Sequence, residues 1–227
     1  YGDREALRYR DYAKNCWVPV SWKQFAAQVG RVSRSLLELG VRVQENIGVF
    51  SQNKPECLYT DFGAYGVRAV TIPFYATSSV AQVAYMVNDA EVRFVFVGEQ
   101  QQYDTAFNVM ALCPTLEKLI IFDREVKKNP ADHLSVYFDE FLALGDGTGQ
   151  TEELETRKKA ASFDDIANIL YTSGTTGNSK GVILTYAMYH EGFLQNDRVV
   201  PVSDKDLSLC FLPFTHVFER AWSYLVL

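Results

Sequence analysis

The residue types best suited to chemistry in this sequence lie in one short loop. The stretch IANILYTSGTTGNSKGVILTY, residues 166–186, has an apolar run on each side of a segment of small and hydroxylated residues. This order predicts a strand, a loop and a second strand. Glycine lets successive backbone N–H groups turn toward one anion, while hydroxyl groups and a lysine add donors that suit a polyphosphate. The predicted phosphate-binding residues are Thr172, Ser173, Gly174, Thr175, Thr176, Gly177, Lys180 and Gly181.

This loop differs from the P-loop of the NTPases. The P-loop has glycine immediately before its lysine and Ser or Thr after it. Here Ser179 precedes Lys180 and Gly181 follows, and the next residues favour a strand where the P-loop leads into a helix. An ordinary glycine- and threonine-rich turn is the other alternative, and the number of ordered positions argues against it.

Short apolar runs alternate with helical periodicity along most of the chain. A β-hairpin is predicted within residues 3–20, and Ser21 is predicted to begin a helix that Gly40 ends. The alternation that follows predicts an α/β fold, a parallel sheet with helices on both faces. No G-x-G-x-x-G motif follows a strand, so NAD binding is not expected. The further strands are predicted at 47–50, 69–73, 92–97, 119–122 and 207–212, and the helices at 54–65, after Ser78 or Ser79 to 87, 100–112, 137–144 and 186–197.

Residues 123–162 differ in character from the rest. They combine charged runs with the patch Gly145–Gly149, which lacks a flanking strand and a lysine. A mobile surface connector is therefore favoured over a second phosphate loop. The charged run Glu152–Lys159 is interpreted as a solvated helix face. We expect residues 123–162 to be a connector or an insertion.

The string YTSGTTGNSKGV, residues 171–182, resembles the phosphate-loop signature of the AMP-forming adenylating enzymes, which include acyl-CoA synthetases, luciferases and peptide-synthetase adenylation domains. Their usual form has proline where this sequence has Ser179. Trp22, the Gln52–Asn53 turn and the run Ala69–Pro73 are also similar to the amino-terminal part of these enzymes. The resemblance implies that residues 1–227 are the amino-terminal part of the adenylation domain and that the carboxy-terminal domain lies outside this sequence.

The resemblance also implies a reaction and its participants. A carboxylic acid would attack the α-phosphorus of ATP to give an acyl-adenylate and pyrophosphate, and coenzyme A would then take the acyl group and release AMP. Mg²⁺ is implied as the metal, with Thr172 and Thr176 as candidate ligands. Preorganised donors such as Lys180 would neutralise the phosphate charge. Without the missing domain, residues 1–227 alone are expected to hold phosphate weakly and to catalyse nothing.

The segment LPFTHVFER, residues 212–220, is most similar to the long-chain fatty acyl-CoA synthetases. This similarity implies a fatty acid substrate, and it implies that His216 lies near the substrate carboxylate as a catalytic residue beside Lys180. In isolation such a histidine is equally compatible with a structural role. Glu219 and Arg220 are interpreted as an ion pair that holds the end of the preceding strand. Both this segment and the loop are expected beyond the carboxyl ends of strands, where α/β proteins bind ligands.

Three other functions stay open at this point. An aryl or amino acid adenylating enzyme would share the loop. A nucleotide-binding module would bind without catalysis, and a kinase-like NTPase would release ADP instead of AMP. The sequence does not indicate the oligomeric state.

Composition narrows the class of protein. The 227 residues are 48% hydrophobic and 22% charged, which is typical of a folded chain with a sizeable core. The net charge of −6 argues against non-specific binding to nucleic acid. Four scattered cysteines suggest neither a zinc site nor a disulfide framework. No apolar stretch has transmembrane length, so we expect a cytoplasmic protein, with peripheral membrane contact possible. The sequence begins at Tyr1 and ends in the apolar run AWSYLVL, and we expect a piece of a longer enzyme.

Overall fold

The computed structural model describes residues 1–147, 149–172 and 178–227. The strands are β1 (Glu5–Asp11), β2 (Cys16–Ser21), β3 (Asn46–Phe50), β4 (Val70–Phe74), β5 (Phe94–Val97), β6 (Lys118–Ile121), β7 (Val136–Tyr137), β8 (Ile166–Thr172) and β9 (Lys180–Thr185). The helices are α1 (Trp22–Glu38), α2 (Pro55–Gly66), α3 (Val80–Asp89), α4 (Gln100–Met110), α5 (Phe138–Leu144), α6 (Thr151–Lys159), α7 (Tyr186–Asp197) and α8 (Val217–Val226).

The main sheet has seven strands in the order β7-β6-β5-β3-β4-β8-β9. Neighbouring strands are parallel except for β8 and β9, which pair antiparallel. The loop after β8 is too short for the crossover that a parallel pair needs, so β9 must return beside β8. The prediction of an α/β fold is confirmed, with one antiparallel edge strand. Strands β1 and β2 form a separate hairpin, as predicted.

Helices cover both faces of the sheet because its central strands are apolar on both sides. In β5, Phe94 and Phe96 belong to the core that α1 and α2 cover, whereas Val95 and Val97 belong to the core under α3 and α4. Successive side chains of a strand point to opposite faces, so one short apolar run serves both cores.

Local capping residues set where α1 and α3 begin. The Ser21 hydroxyl accepts a hydrogen bond from the Gln24 backbone N–H, and the Gln24 side chain accepts one from the Ser21 N–H. Ser79 and Gln82 repeat this capping box at α3. The choice between Ser78 and Ser79 is thereby decided in favour of Ser79.

Residues 123–162, which were expected to be a connector or an insertion, contain β7, α5 and α6, and parts of these elements pack into the core. Strand β7 pairs with β6, and the predicted helix at 137–144 is present as α5. Phe141 of α5 and Leu154 of α6 are buried beside α1. The glycine patch is partly packed as well, because a Cβ atom on Gly145 would lie 2.6 Å from the backbone nitrogen of Ser35. Gly145 is therefore packed against α1, while the connector or insertion over residues 123–162 stays a prediction.

The predicted strand at 207–212 is absent from the structure. Residues 207–212 contain no strand, and Leu207, Leu209 and Phe211 are largely exposed. The alternating apolar pattern suggested a strand, but none of the strands in the described ranges pairs with this segment. No helix among the described residues is both long and apolar enough to cross a membrane.

Candidate functional site

Strands β8 and β9 bring the two ends of the candidate phosphate loop together. Thr172 at the end of β8 is the pairing partner of Lys180 at the start of β9. The ladder continues from Tyr171 and Gly181 along both strands. The predicted ligands Ser173, Gly174, Thr175, Thr176 and Gly177 lie outside the described residues. The predicted order of strand, loop and strand is confirmed for the two flanking strands.

Lys180 is the charged group that the structure describes at this loop. Its side chain is exposed, and it makes no ion pair or hydrogen bond with any other described residue. Thr172 is exposed as well, so its hydroxyl can reach a ligand. Gly181 has a separate structural reason to be glycine, since a Cβ there would lie 2.7 Å from Cγ2 of Ile169.

His216 begins helix α8 as its N-cap residue. Its Nδ1 accepts a hydrogen bond of 3.2 Å from the backbone N–H of Phe218, and its side chain is exposed. An accepting Nδ1 means that the neutral ring carries its proton on Nε2. The imidazole therefore caps helix α8 with Nδ1, and its Nε2–H can donate to a ligand.

Asn53 ties the segment before His216 to the carboxyl end of β3. Its side-chain amide donates to the Leu212 carbonyl at 2.7 Å and accepts from the Phe214 N–H at 3.0 Å. Strand β4 lies between β3 and β8, so the ends of β3 and β8 are about 10 Å apart at the usual strand spacing. Both candidate segments thus lie at the edge of the sheet formed by the carboxyl ends of its parallel strands, although the strand at 207–212 that was expected to lead into the second segment is absent. Within the described part of the chain, no hydrogen bond joins His216 to Thr172 or Lys180.

A buried ion pair behind this edge was not predicted. Arg220 is 1% exposed and pairs with Asp61 of α2, which is completely buried. Burial would lower the pKa of Arg220, but the Asp61 carboxylate raises it well above its usual value, so Arg220 stays charged. The one signal in the sequence was Asp61, an acidic residue in the middle of α2 between the apolar residues Leu58 and Phe62.

The predicted pairing of Glu219 with Arg220 is wrong. Glu219 instead accepts hydrogen bonds from the Leu212 N–H at 3.0 Å and from the Ser223 hydroxyl at 3.2 Å. Neighbouring residues of an α-helix point about 100° apart, so these two side chains cannot face each other. The general interpretation of both residues as structural agrees with these contacts.

A groove of about 2210 Å³ runs along the same edge of the sheet. Residues that follow β3, β4, β5 and β6 line it, and so do residues 203, 204 and 206–211. Thr172, Lys180, Gly181 and His216 do not line it. The groove therefore extends away from the phosphate loop along the carboxyl ends of the parallel strands.

The model of the AMP-binding enzyme family matches residues 1–227. The chain belongs to this family. It is 29% identical over 229 residues to fatty acyl-CoA synthetase A of Dictyostelium discoideum, with 97% of this chain and 32% of the relative covered. It is 26% identical over 216 residues to long-chain-fatty-acid–CoA ligase 5 of Rattus norvegicus, with 88% and 30% covered. The chain thus spans about a third of the length of these relatives.

Solved structures of adenylating enzymes share the fold of this AMP-binding chain. A putative long-chain-fatty-acid CoA ligase from Rhodopseudomonas palustris has a TM-score of 0.75 at 16% identity, covering 92% of this chain and 49% of that one. The anthranilate CoA ligase AuaEII in complex with anthranoyl-AMP has a TM-score of 0.70 at 20% identity, covering 83% and 34%. At such identities the likeness extends to the fold alone.

A magnesium ion would find few protein ligands at this site. In the described ranges, no three His, Cys, Asp or Glu residues cluster as a metal site would require. The exposed hydroxyl of Thr172 could supply one oxygen, and Thr176 lies outside the described residues. Mg²⁺ commonly keeps several waters and binds substrate phosphates, so a single hydroxyl fits its coordination.

Proposed function

We propose that the full-length protein activates a long-chain fatty acid with ATP. A carboxylate oxygen attacks the α-phosphorus, and the bond from this phosphorus to the α,β-bridging oxygen breaks. The products are the acyl-adenylate and pyrophosphate, which carries away the β- and γ-phosphates. The thiol of coenzyme A then attacks the acyl carbon, so that a thioester forms and AMP leaves. Membership in the AMP-binding family is the observation that supports activation of an acid with ATP. The fatty acyl-CoA synthetases among the relatives support a long-chain fatty acid as the substrate and coenzyme A as the acceptor.

Each candidate residue has a role that its position supports. Lys180 faces no competing carboxylate in the described chain, so its ammonium is free to neutralise charge on the leaving phosphates. The hydroxyl of Thr172 would share the phosphates with Mg²⁺, which supplies further positive charge when bound. His216 offers Nε2–H as a donor toward the carboxylate or the adenylate. The groove that extends away from these residues along the carboxyl ends of the strands has apolar side chains such as Tyr75, Leu209 and Phe214, which suit an alkyl chain.

Exchange of labelled pyrophosphate into ATP tests this function in the full-length protein. Lys180→Ala should lower the exchange rate about 100- to 1000-fold, the usual loss when a preorganised charged donor is removed. Lys159→Ala is the matched control, because Lys159 is an exposed lysine at the end of α6 and should leave the rate unchanged. Release of ADP instead of AMP would refute the proposal.

A substrate panel separates the proposed fatty acid from aryl acids. The fold likeness to an anthranilate CoA ligase makes aryl acids the second candidate. Palmitate should support AMP release faster than benzoate, anthranilate or amino acids. Faster turnover of an aryl or amino acid would replace the fatty acid assignment while leaving adenylation in place.

Loss of activity with EDTA and its return with Mg²⁺ would test the metal.

A further inference from the structure

Arg220 holds the backbone just before His216 from inside the protein. Its Nε donates to the Phe214 carbonyl at 2.8 Å, two residues before His216. Its Nη1 donates to Asp61 and, at 2.6 Å, to the hydroxyl of Tyr224. Because Arg220 and Asp61 are buried, solvent does not compete for these bonds. The His216 segment is therefore fixed on a rigid, charged anchor.

The same anchor continues to the strand that leads into the phosphate loop. The hydroxyls of Tyr224 and Tyr65 lie 2.9 Å apart, and the Tyr65 hydroxyl lies 2.9 Å from Oδ1 of Asn168 in β8. Asn168 also donates from Nδ2 to the Thr71 carbonyl at 3.1 Å and to the Thr71 hydroxyl at 2.6 Å, which joins β8 to β4. Four residues after Asn168, β8 ends at Thr172.

Counting protons shows how the two tyrosines share these bonds. Each phenol has one proton to donate. The Tyr224 hydroxyl accepts from Arg220 and has two acceptors within reach, the Asp61 carboxylate at 2.8 Å and the Tyr65 hydroxyl at 2.9 Å. When the Tyr224 proton goes to Tyr65, the Tyr65 proton goes to Oδ1 of Asn168, and the hydrogen bonds run unbroken from Arg220 to β8. Tyr65 is thus the hydrogen-bonded link between the Arg220 anchor and β8.

We propose that Tyr65 is a positioning residue, which with Arg220 holds the His216 segment and the phosphate-loop strand β8 in one fixed relation. The inference rests on the proposed function, in which a carboxylate near His216 must meet an α-phosphorus held by the loop. In-line attack requires the reacting atoms at about 3–3.5 Å, and a misplacement of about 1 Å can cost on the order of 100-fold in rate. A rigid link between the two segments keeps that geometry.

Two tyrosine variants of the full-length enzyme separate positioning from folding. Tyr65→Phe removes the link and leaves Arg220, Asp61 and Tyr224 with their remaining bonds. Tyr189→Phe is the matched control, because the Tyr189 hydroxyl donates to the same Asn168 Oδ1 at 2.8 Å but makes no hydrogen bond to the anchor among the described residues. Both variants lose one hydroxyl group and its bond to the same acceptor, and Tyr65→Phe also loses the contact with Tyr224. Thermal unfolding should show similar stability for the two.

The kinetic outcomes differ if Tyr65 positions the site. Tyr65→Phe should lower kcat for pyrophosphate exchange about tenfold with the KM for ATP unchanged, because the misplaced groups still bind the nucleotide. Tyr189→Phe should change kcat less than about twofold, as a purely structural loss would. With His216→Ala already present, Tyr65→Phe should change kcat less than about twofold, since the group it positions is gone.

Several results would overturn the inference. Equal kcat values for the two tyrosine variants would do so, and so would a full effect of Tyr65→Phe on top of His216→Ala. If wild-type enzyme exchanges pyrophosphate and His216→Ala impairs it, but Tyr65→Phe behaves like Tyr189→Phe, the proposed function stands and the inference alone fails. If wild-type enzyme shows no exchange with any acid, the proposed function fails and the inference falls with it.

Discussion

Replacing Arg220 with methionine tests the buried charge balance behind the site. Met keeps much of the apolar stem of Arg but removes the guanidinium, which leaves the Asp61 carboxylate buried with one hydrogen bond from Tyr224. Removing one partner of a buried ion pair costs about 3–5 kcal/mol, since the other charge stays uncompensated. For a folding unit of this size each kcal/mol lowers Tm by about 2–4 °C, so we expect a loss of roughly 6–20 °C.

Thermal unfolding of the full-length protein measures this loss, and two further variants assign its cause. Arg124→Met removes an exposed arginine that pairs with Asp139 and Glu140, and it should cost less than about 1 kcal/mol. Adding Asp61→Asn to Arg220→Met removes the unpaired charge while keeping an acceptor for Tyr224. This double variant should recover about half of the loss. Equal Tm values for Arg220→Met with and without Asp61→Asn would refute the electrostatic explanation.

Further predictions concern stability, pH dependence and the isolated chain. Ser21→Ala removes the capping-box hydroxyl of α1 and should lower the free energy of unfolding by about 1 kcal/mol in urea titrations, with Ser203→Ala, away from any helix start, as comparison. The hydrogen bonds from Arg68 hold the pKa of Asp165 below its usual value, so this stabilisation is present at neutral pH and is lost as pH falls through the folded-state pKa. The destabilisation caused by Asp165→Asn, measured by unfolding at several pH values, should therefore be largest near neutrality and shrink below about pH 4, and a constant difference would contradict it. Residues 1–227 expressed alone should show no pyrophosphate exchange, and measurable exchange would show that the missing part is dispensable.

Features that depend on neighbouring residues could be predicted from the sequence. Ser21 and Gln24 lie three residues apart and form their capping box whatever the rest of the chain does. Likewise, the apolar runs on both sides of the loop sufficed to predict β8 and β9, because strands in a hairpin are adjacent in sequence. The helix predicted at 186–197 is present as α7, where Thr185 is the N-cap residue and accepts from the Met188 N–H.

Features that depend on distant partners could not be predicted in the same way. Asp61 and Arg220 are 159 residues apart in sequence, and only the packing of α8 on α2 brings them together. The alternating run at Leu207–Leu212 has the pattern of a strand, but a strand also needs a partner for its backbone groups. In the described chain, side chains bind part of this backbone instead of a neighbouring strand. Asn53 donates a hydrogen bond to the Leu212 carbonyl, and Glu219 accepts one from the Leu212 N–H.

The segment LPFTHVFER combines an exposed histidine with a buried framework, and the two properties depend on each other. The exposed His216 side chain is held by its own bond to the Phe218 N–H and by the contacts of the backbone that precedes it. Here the Phe214 main chain is held by Asn53 on one side and by Arg220 on the other. Glu219 turns back to the Leu212 N–H and closes the turn before the helix. These contacts fix the backbone before His216 beside the carboxyl end of β3, so the exposed imidazole starts from a fixed point there.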